Sequence, residues 1–235
     1  MTKTICTLLA ACCVMTAARA AEPLMTIDDL LNPMLYPKDS QPFGKSITSW
    51  AELNWQWIYE QPLEQNPFLG ATCAASPDGP VWQLAPIANQ GSGTYTRTCT
   101  IPHGKAILLH VGSIADDWPC PDPGFAPKPG QTLYDFLLAD ATSYNMVDRL
   151  DVKLDGRPVF NPKRYIYTSE NLFALKGDPS ESAFDPCITG NYQPAVVYGY
   201  FMMFRPLSRG MHTIVRHNVD KDGTDLTYIY RLTIQ

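Results

Sequence analysis

Between positions 226 and 234 every second residue is large and apolar. Leu226, Tyr228, Tyr230, Leu232 and Ile234 share one parity, and three of the four residues between them are Thr or Arg. A period of two is that of a β-strand with one buried face. Such a strand is not stable alone and needs partners and a second layer. Residues 211–217 offer a hairpin partner. Upstream, the apolar runs at 81–84, 105–111 and 196–204 are short, and many of the 21 prolines fall between runs. That punctuation suits strands joined by shaped loops, not a helical bundle. Hydrophobic residues make up 45% and charged residues 17%, which excludes a disordered chain. The expected fold is mainly β: a β-sandwich-like single domain with one or two packed α-helices.

Two segments break the strand rhythm. Ser49-Trp50-Ala51-Glu52 matches a capping box, with Trp50, Leu53 and Trp57 on one helical face and Pro62 as the stop. Trp55 and Tyr59 form a second aromatic pair on the other side, so the helix is either buried on both faces or offers that pair to a ligand. Thr132 and Asp135 make a weaker capping pair, and the apolar spacing continues to Val147, which predicts a helix over 132–147. Asp155-Gly156 after Leu150, Val152 and Leu154 predicts a tight hairpin. Asn89 to Gly93 predicts a turn, and 176–193 a long loop.

The first twenty residues have the three parts of an export signal. Lys3 opens it, a largely apolar stretch follows, and Ala18-Arg19-Ala20 is a small-x-small cleavage site. The predicted organisation is a cleaved signal peptide over 1–20, an extended N-terminal arm over 21–45 and one β-rich domain over 46–235. A lipoprotein-type cleavage at Leu9-Ala10-Ala11-Cys12, with a lipid anchor on Cys12, is the weaker alternative. No transmembrane segment is expected, because no apolar stretch approaches the ~20 residues a spanning helix needs. The formal charge of −5 becomes −7 once Lys3 and Arg19 leave with the leader, which holds no acid. No basic patch is visible, so nucleic acid is not an expected partner.

Of seven cysteines, Cys6, Cys12 and Cys13 lie in the leader and four remain: Cys73, Cys99, Cys120 and Cys187. An even number in an exported chain reads as disulfides, and CxxC spacing for zinc is absent. Three connectivities are open. The preferred one is Cys73–Cys99, flanking a presumed strand pair around Val81-Trp82 and Tyr95-Thr96, with Cys120–Cys187 joining two loops.

Several segments resemble a group of exported bacterial proteins of uncharacterised function. They are Trp55-Gln56-Trp57, Cys73 with Val81-Trp82-Gln83-Leu84-Ala85, and Thr96-Arg97-Thr98-Cys99-Thr100-Ile101-Pro102 with Gly104-Lys105-Ala106. Val152-Lys153-Leu154-Asp155-Gly156 follows, then Pro206-Leu207-Ser208 with Gly210-Met211-His212-Thr213-Ile214. Their order along most of the mature chain makes the match. The resemblance implies the same cysteine pairing and β-rich fold, and it brings no activity.

Common catalytic signatures (GxSxG, HExxH, P-loop) are absent from the sequence. Asp116 and Asp117 beside Trp118, just past an apolar strand, are the weak candidates for acid–base work on a sugar. Trp55, Tyr59 and Trp118 are candidate ligand-binding aromatics. Asp220, Asp222 and Asp225 with Gly223 resemble a calcium loop. With Asn218 as its first position, however, the twelfth is Ile229 instead of the bidentate glutamate, so a solvated turn is the simpler reading. No cofactor is expected, and no metal beyond that weak loop. His110 sits inside an apolar strand and reads as a hydrogen-bonded core residue. The expected function is that of an exported, non-catalytic binding protein recognising a glycan or envelope component. The alternatives are a secreted glycan-directed hydrolase using Asp116 or Asp117, and a structural envelope protein. The expected location is the periplasm or the extracellular space.

Overall fold

The computed structural model describes residues 25–70, 72–87, 91–145 and 147–235. The predicted signal peptide, the alternative anchor at Cys12 and the first two residues of the 89–93 turn lie outside them. In chain order the elements are α1 (Ile27–Leu31), α2 (Ile47–Glu60), β1 (Val81–Leu84), β2 (Gly93–Ile101), β3 (Ala106–Asp117) and α3 (Leu133–Ser143). After these come β4 (Val147–Leu154), β5 (Arg157–Pro158), β6 (Ile166–Thr168), β7 (Phe173–Leu175), β8 (Gln193–Phe204), β9 (Gly210–Asp220) and β10 (Asp225–Ile234). Short 3-10 turns fill several connections, one of them at Pro179–Ala183 inside the expected long loop.

The strands form two mixed sheets. The first has the order β1-β3-β8-β6, with β7 also on β8; the second has the order β2-β10-β9-β4-β5. The fold is thus mainly β and sandwich-like, as its alternation predicts. Pairing differs from expectation in one respect. β1 and β2 do not form a strand pair: β1 lies parallel to β3 in the first sheet, and β2 lies parallel to β10 in the second. The Cys73–Cys99 bridge forms all the same. Its partner segment is laid beside β2 by a bridge between Thr72 and Thr98 and by the Cys73 N–H donating to the Thr98 carbonyl. Cys120–Cys187 forms as well.

Both sheets contribute to one continuous core. Leu108, Leu109, Phe201 and Phe204 enter it from the first, and Ile101, Ile214, Tyr230 and Leu232 from the second. α2 covers the outer face of the first sheet. Trp50, Trp55, Trp57, Ile58 and Tyr59 are all buried, so this helix is enclosed on both sides and only Leu53 of its large apolar residues reaches solvent. Its cap lies one turn earlier than predicted: Ser46 accepts from the Ser49 N–H. Glu52 cannot close a box on Ser49, because its carboxylate is taken by the Ser169 hydroxyl. α3 is capped by Thr132 and Asp135, as predicted, but ends at Ser143. Val147, β-branched and paired with Asp220, opens β4 instead of closing the helix.

The Asp155-Gly156 turn has φ of 50° and 78° at its two central residues, the left-handed pair that a two-residue hairpin requires. The arm lies on the domain through Leu35, which bridges Phe204, and through the Tyr36 N–H donating to the Met203 carbonyl. No helix among the described residues is long and apolar enough to cross a membrane.

Candidate functional site

β3 carries the chemistry expected at its far end. Because successive side chains of a strand alternate, Asp116 and Asp117 project to opposite faces. Asp116 turns to the face covered by α3, where Ile114, Val196, Leu137 and Ala141 pack. Burial, and then Asp140 of α3 beside it, push its carboxyl up to about 8. Its Oδ2 is buried without a hydrogen-bond partner. Asp117 turns to the α2 side, where its Oδ2 accepts from Gln193 Nε2 at 2.6 Å. The same amide nitrogen donates to the carbonyls of Pro119 and Cys187, stitching the acid to the Cys120–Cys187 bridge. Burial, then Asp185, raise Asp117 to about 7. The two acids are not brought onto one ligand, and Trp118 is half-buried against the α3 cluster.

Trp55 and Tyr59 stack at 5.3 Å inside the core. Their polar atoms are spent there: Trp55 Nε1 donates to Ser113 Oγ at 2.8 Å, and the Tyr59 hydroxyl donates to Asp185 at 3.0 Å. Asp220, Asp222 and Asp225 all serve the β9–β10 hairpin. Asp220 accepts from Asn218 Nδ2, Asp222 from the Thr224 N–H, and Asp225 contacts His217. Among the described residues no three His, Cys, Asp or Glu side chains converge as a metal site.

His110 belongs to a polar chain beneath α2. Asn54 Oδ1 lies 2.9 Å from His110 Nδ1, His110 Nε2 lies 2.7 Å from Ser113 Oγ, and Asn54 Nδ2 donates to Gln83. The order Ser–His–Asn is that of a nucleophile, a base and its orienter. Here, however, the hydroxyl also accepts from Trp55, and burial, with Arg216 behind it, lowers the imidazole to about 3. The imidazole is therefore neutral, and donor and acceptor roles along the chain are self-consistent if Nδ1 carries the proton. This network ties helix to sheet.

A different region holds open space. Where the two sheets meet the C-terminal end of α3 there is a cleft of about 220 Å³. Its floor is built by two glycines. The β3–β8 register shifts between His110 and Gly112, and Gly199, at φ +144°, faces Ser113 so closely that a Cβ would lie 2.3 Å from the serine Cβ. Its wall on the second sheet is Arg216 and Asn218 of β9; on the first sheet it is Tyr198 and Tyr200; Tyr144 and Asn145 close the α3 side. Arg216 is 5% exposed, and its guanidinium carbon sits 4.4 Å from the Tyr228 ring centre. It has no ion pair among the described residues. Arg216 is hydrogen-bonded to Tyr228 and has the Asp220 carboxylate nearby; three atoms of the lining residues, Arg216 Nε, Asn218 Oδ1 and Asn145 Oδ1, are buried behind the cleft wall without a hydrogen-bond partner.

Sequence reasoning missed this site, although a signal existed. Ile214, Arg216 and Asn218 share the parity that pairs with the inward Tyr230, Tyr228 and Leu226. An arginine on a buried parity is an anomaly that alternation alone exposes. Comparison of the chain with protein-family models, with curated proteins and with solved structures returns no match.

Proposed function

We propose that this is an exported, non-catalytic binding protein whose ligand enters the cleft between the two sheets. One observation carries the reading: the two sheets leave a cleft of about 220 Å³ walled by Tyr144, Tyr198 and Tyr200, with the buried Arg216 and Asn218 in its lining. The sequence-predicted acids support binding over hydrolysis. Asp116 and Asp117 lie on opposite faces of β3 and cannot act together on one glycosidic bond. The leader pattern and two disulfides support an oxidising compartment, periplasmic or extracellular. The ligand class is a glycan or a related envelope component, because tyrosines wall the cleft and pack well against sugar rings.

The test is a glycan panel titrated with the mature protein, with parallel detection of new reducing ends. Binding without product is expected. Accumulating product overturns the non-catalytic reading, and no binding across the panel overturns the glycan reading.

A further inference from the structure

α1 is turned inside out. In a surface helix the apolar side chains face the core and the polar ones face water. Here the buried residues are Asp29 and, at the end of the helix, Asn32. Ile27, Leu30 and Leu31, spaced to share one helical face, are between 49% and 69% exposed. Met25, two residues before the helix, is exposed as well. So is Phe160, whose N–H donates to Asn32 Oδ1 at 2.7 Å. Single exposed apolar residues are ordinary, but five gathered at one corner mark a surface that takes a partner.

Polar bonds fix this orientation. Thr26 and Asp29 close a capping box at the start of the helix. Arg164 Nη1 donates to Asp29 Oδ1 at 3.1 Å, and Arg164 Nε lies 3.5 Å from Asp28 Oδ2. Asn32 Nδ2 donates to the Phe160 carbonyl and to the Tyr165 hydroxyl, both at 3.0 Å. Turning the helix to bury its leucines would break all of these and strand buried polar groups. The apolar face is therefore held outward by the domain itself.

The chain that precedes the face says what covers it. The apolar stretch of the leader ends at Ala18, and residues 19–24 lead from it to Met25. That connection spans at most about 25 Å at ~3.5 Å per residue. The apolar stretch of a leader enters the bilayer during export, so the chain leaves the membrane at this corner. The alternative anchor on Cys12 would hold the same corner to a bilayer through residues 13–24. A second copy fits less well. The mature charge of −7 opposes self-association. Both α1 carboxylates are already turned to Arg164, so the helix offers no free charge to pair across such an interface.

We infer that this corner docks on a lipid bilayer, with Ile27, Leu30 and Leu31 entering the boundary between headgroups and acyl chains. The inference stands apart from the cleft, whose lining includes none of these residues. The experiment is flotation of the mature protein with phosphatidylcholine vesicles at about 0.5 M salt, where surface electrostatics are screened and apolar insertion persists. The bound fraction is expected to be at least fivefold that of I27S/L30S/L31S. That variant should keep the wild-type circular dichroism and melting temperature, because all three side chains are exposed. L31W gives a second readout that decides alone if the triple variant loses its fold. Its tryptophan emission should move to shorter wavelength on adding vesicles, beyond any change in wild type. No flotation of wild type, equal flotation of a folded triple variant, or an unmoved L31W emission overturns the inference. So does a wild-type dimer in analytical ultracentrifugation that the triple variant dissolves while vesicles bind neither, because the face is then an interface between copies.

Discussion

Arg97 and Arg216 are two buried arginines on the same inward face of the second sheet, on the strands that flank β10. Arg97 pairs in register with Tyr230, and Arg216 with Tyr228. The Nε of each is buried without a hydrogen-bond partner, but the surroundings of their terminal nitrogens differ. The terminal nitrogens of Arg97 donate to six backbone carbonyls, those of Pro67, Phe68, Leu69, Gly70, Ala85 and Pro86. A loop has been wrapped around the charge. Arg216 has the ring and a hydrogen bond of Tyr228, the Asp220 carboxylate nearby and Gly112. Burial lowers the proton affinity of both. The first charge therefore organises loops of the chain, and the second is held by side chains of its own sheet.

The largest effect that would sharpen this contrast is at Arg97. R97M should destabilise by about 3–5 kcal/mol, because the carbonyls of two loops lose their shared donor while buried. Chemical denaturation measures it, and a loss below 1 kcal/mol would break the contrast. Next is the Cys73–Cys99 bridge, which closes the segment carrying the Ala85 and Pro86 carbonyls and anchors the chain just after the other four. The pair C73A/C99A should lower stability by roughly 3 kcal/mol, as expected for a loop with a separation of 26 residues. Hydrogen exchange should rise at 66–70 and stay unchanged at the Arg216 cleft; exchange rising equally in both would show that the two regions are one unit.

A third test concerns Asp116, a buried acid left, like Arg216, with an unpaired atom. Its folded-state value, about 8, lies above the unfolded one, so the folded state holds the proton more tightly. That contribution is complete below the unfolded value near 4 and is lost as pH rises to about 8; Asp117, at about 7, adds in the same direction. Stability should therefore fall between pH 5 and 8. D116N should flatten the curve and be more stable than wild type at pH 8, by about 1–2 kcal/mol, with less gain at pH 5. A parallel pH profile in wild type and D116N would remove Asp116 from the account.

The smallest effect is also the most diagnostic. R216M should cost no more than about 1–2 kcal/mol, because the guanidinium gives up a side-chain hydrogen bond to Tyr228 where Arg97 gives up six carbonyls. A loss approaching that of R97M would place both arginines in the same structural role.

The legible parts of this molecule were local. Thr132 with Asp135, the Asp155-Gly156 turn, the alternation at 226–234 and the four cysteines each declare themselves within a few residues, and each is found. Partner choice is not local. Nothing near Val81 says that its strand lies beside Ala106 in parallel, because that pairing is decided by how two sheets stack. The Ser46 cap was hidden by a better-looking serine three residues on. The cleft was hidden for a related reason. Asp116 and Asp117 drew attention as neighbours in sequence, yet strand geometry separates them, while Asn145, Arg216 and Gly112 meet only after both sheets are in place.

The parallel pair β2–β10 has a consequence for the order of assembly. β10 lies between β2 and β9, so the second sheet is completed by a strand inserted at its interior. Residues 93–101 must wait for residues 226–234 before any of their ladder bonds to that strand can form. Non-local closure of this kind is slow to nucleate. Of the two bridges, Cys73–Cys99 spans 26 residues and Cys120–Cys187 spans 67, so chain-closure entropy favours the first over the second.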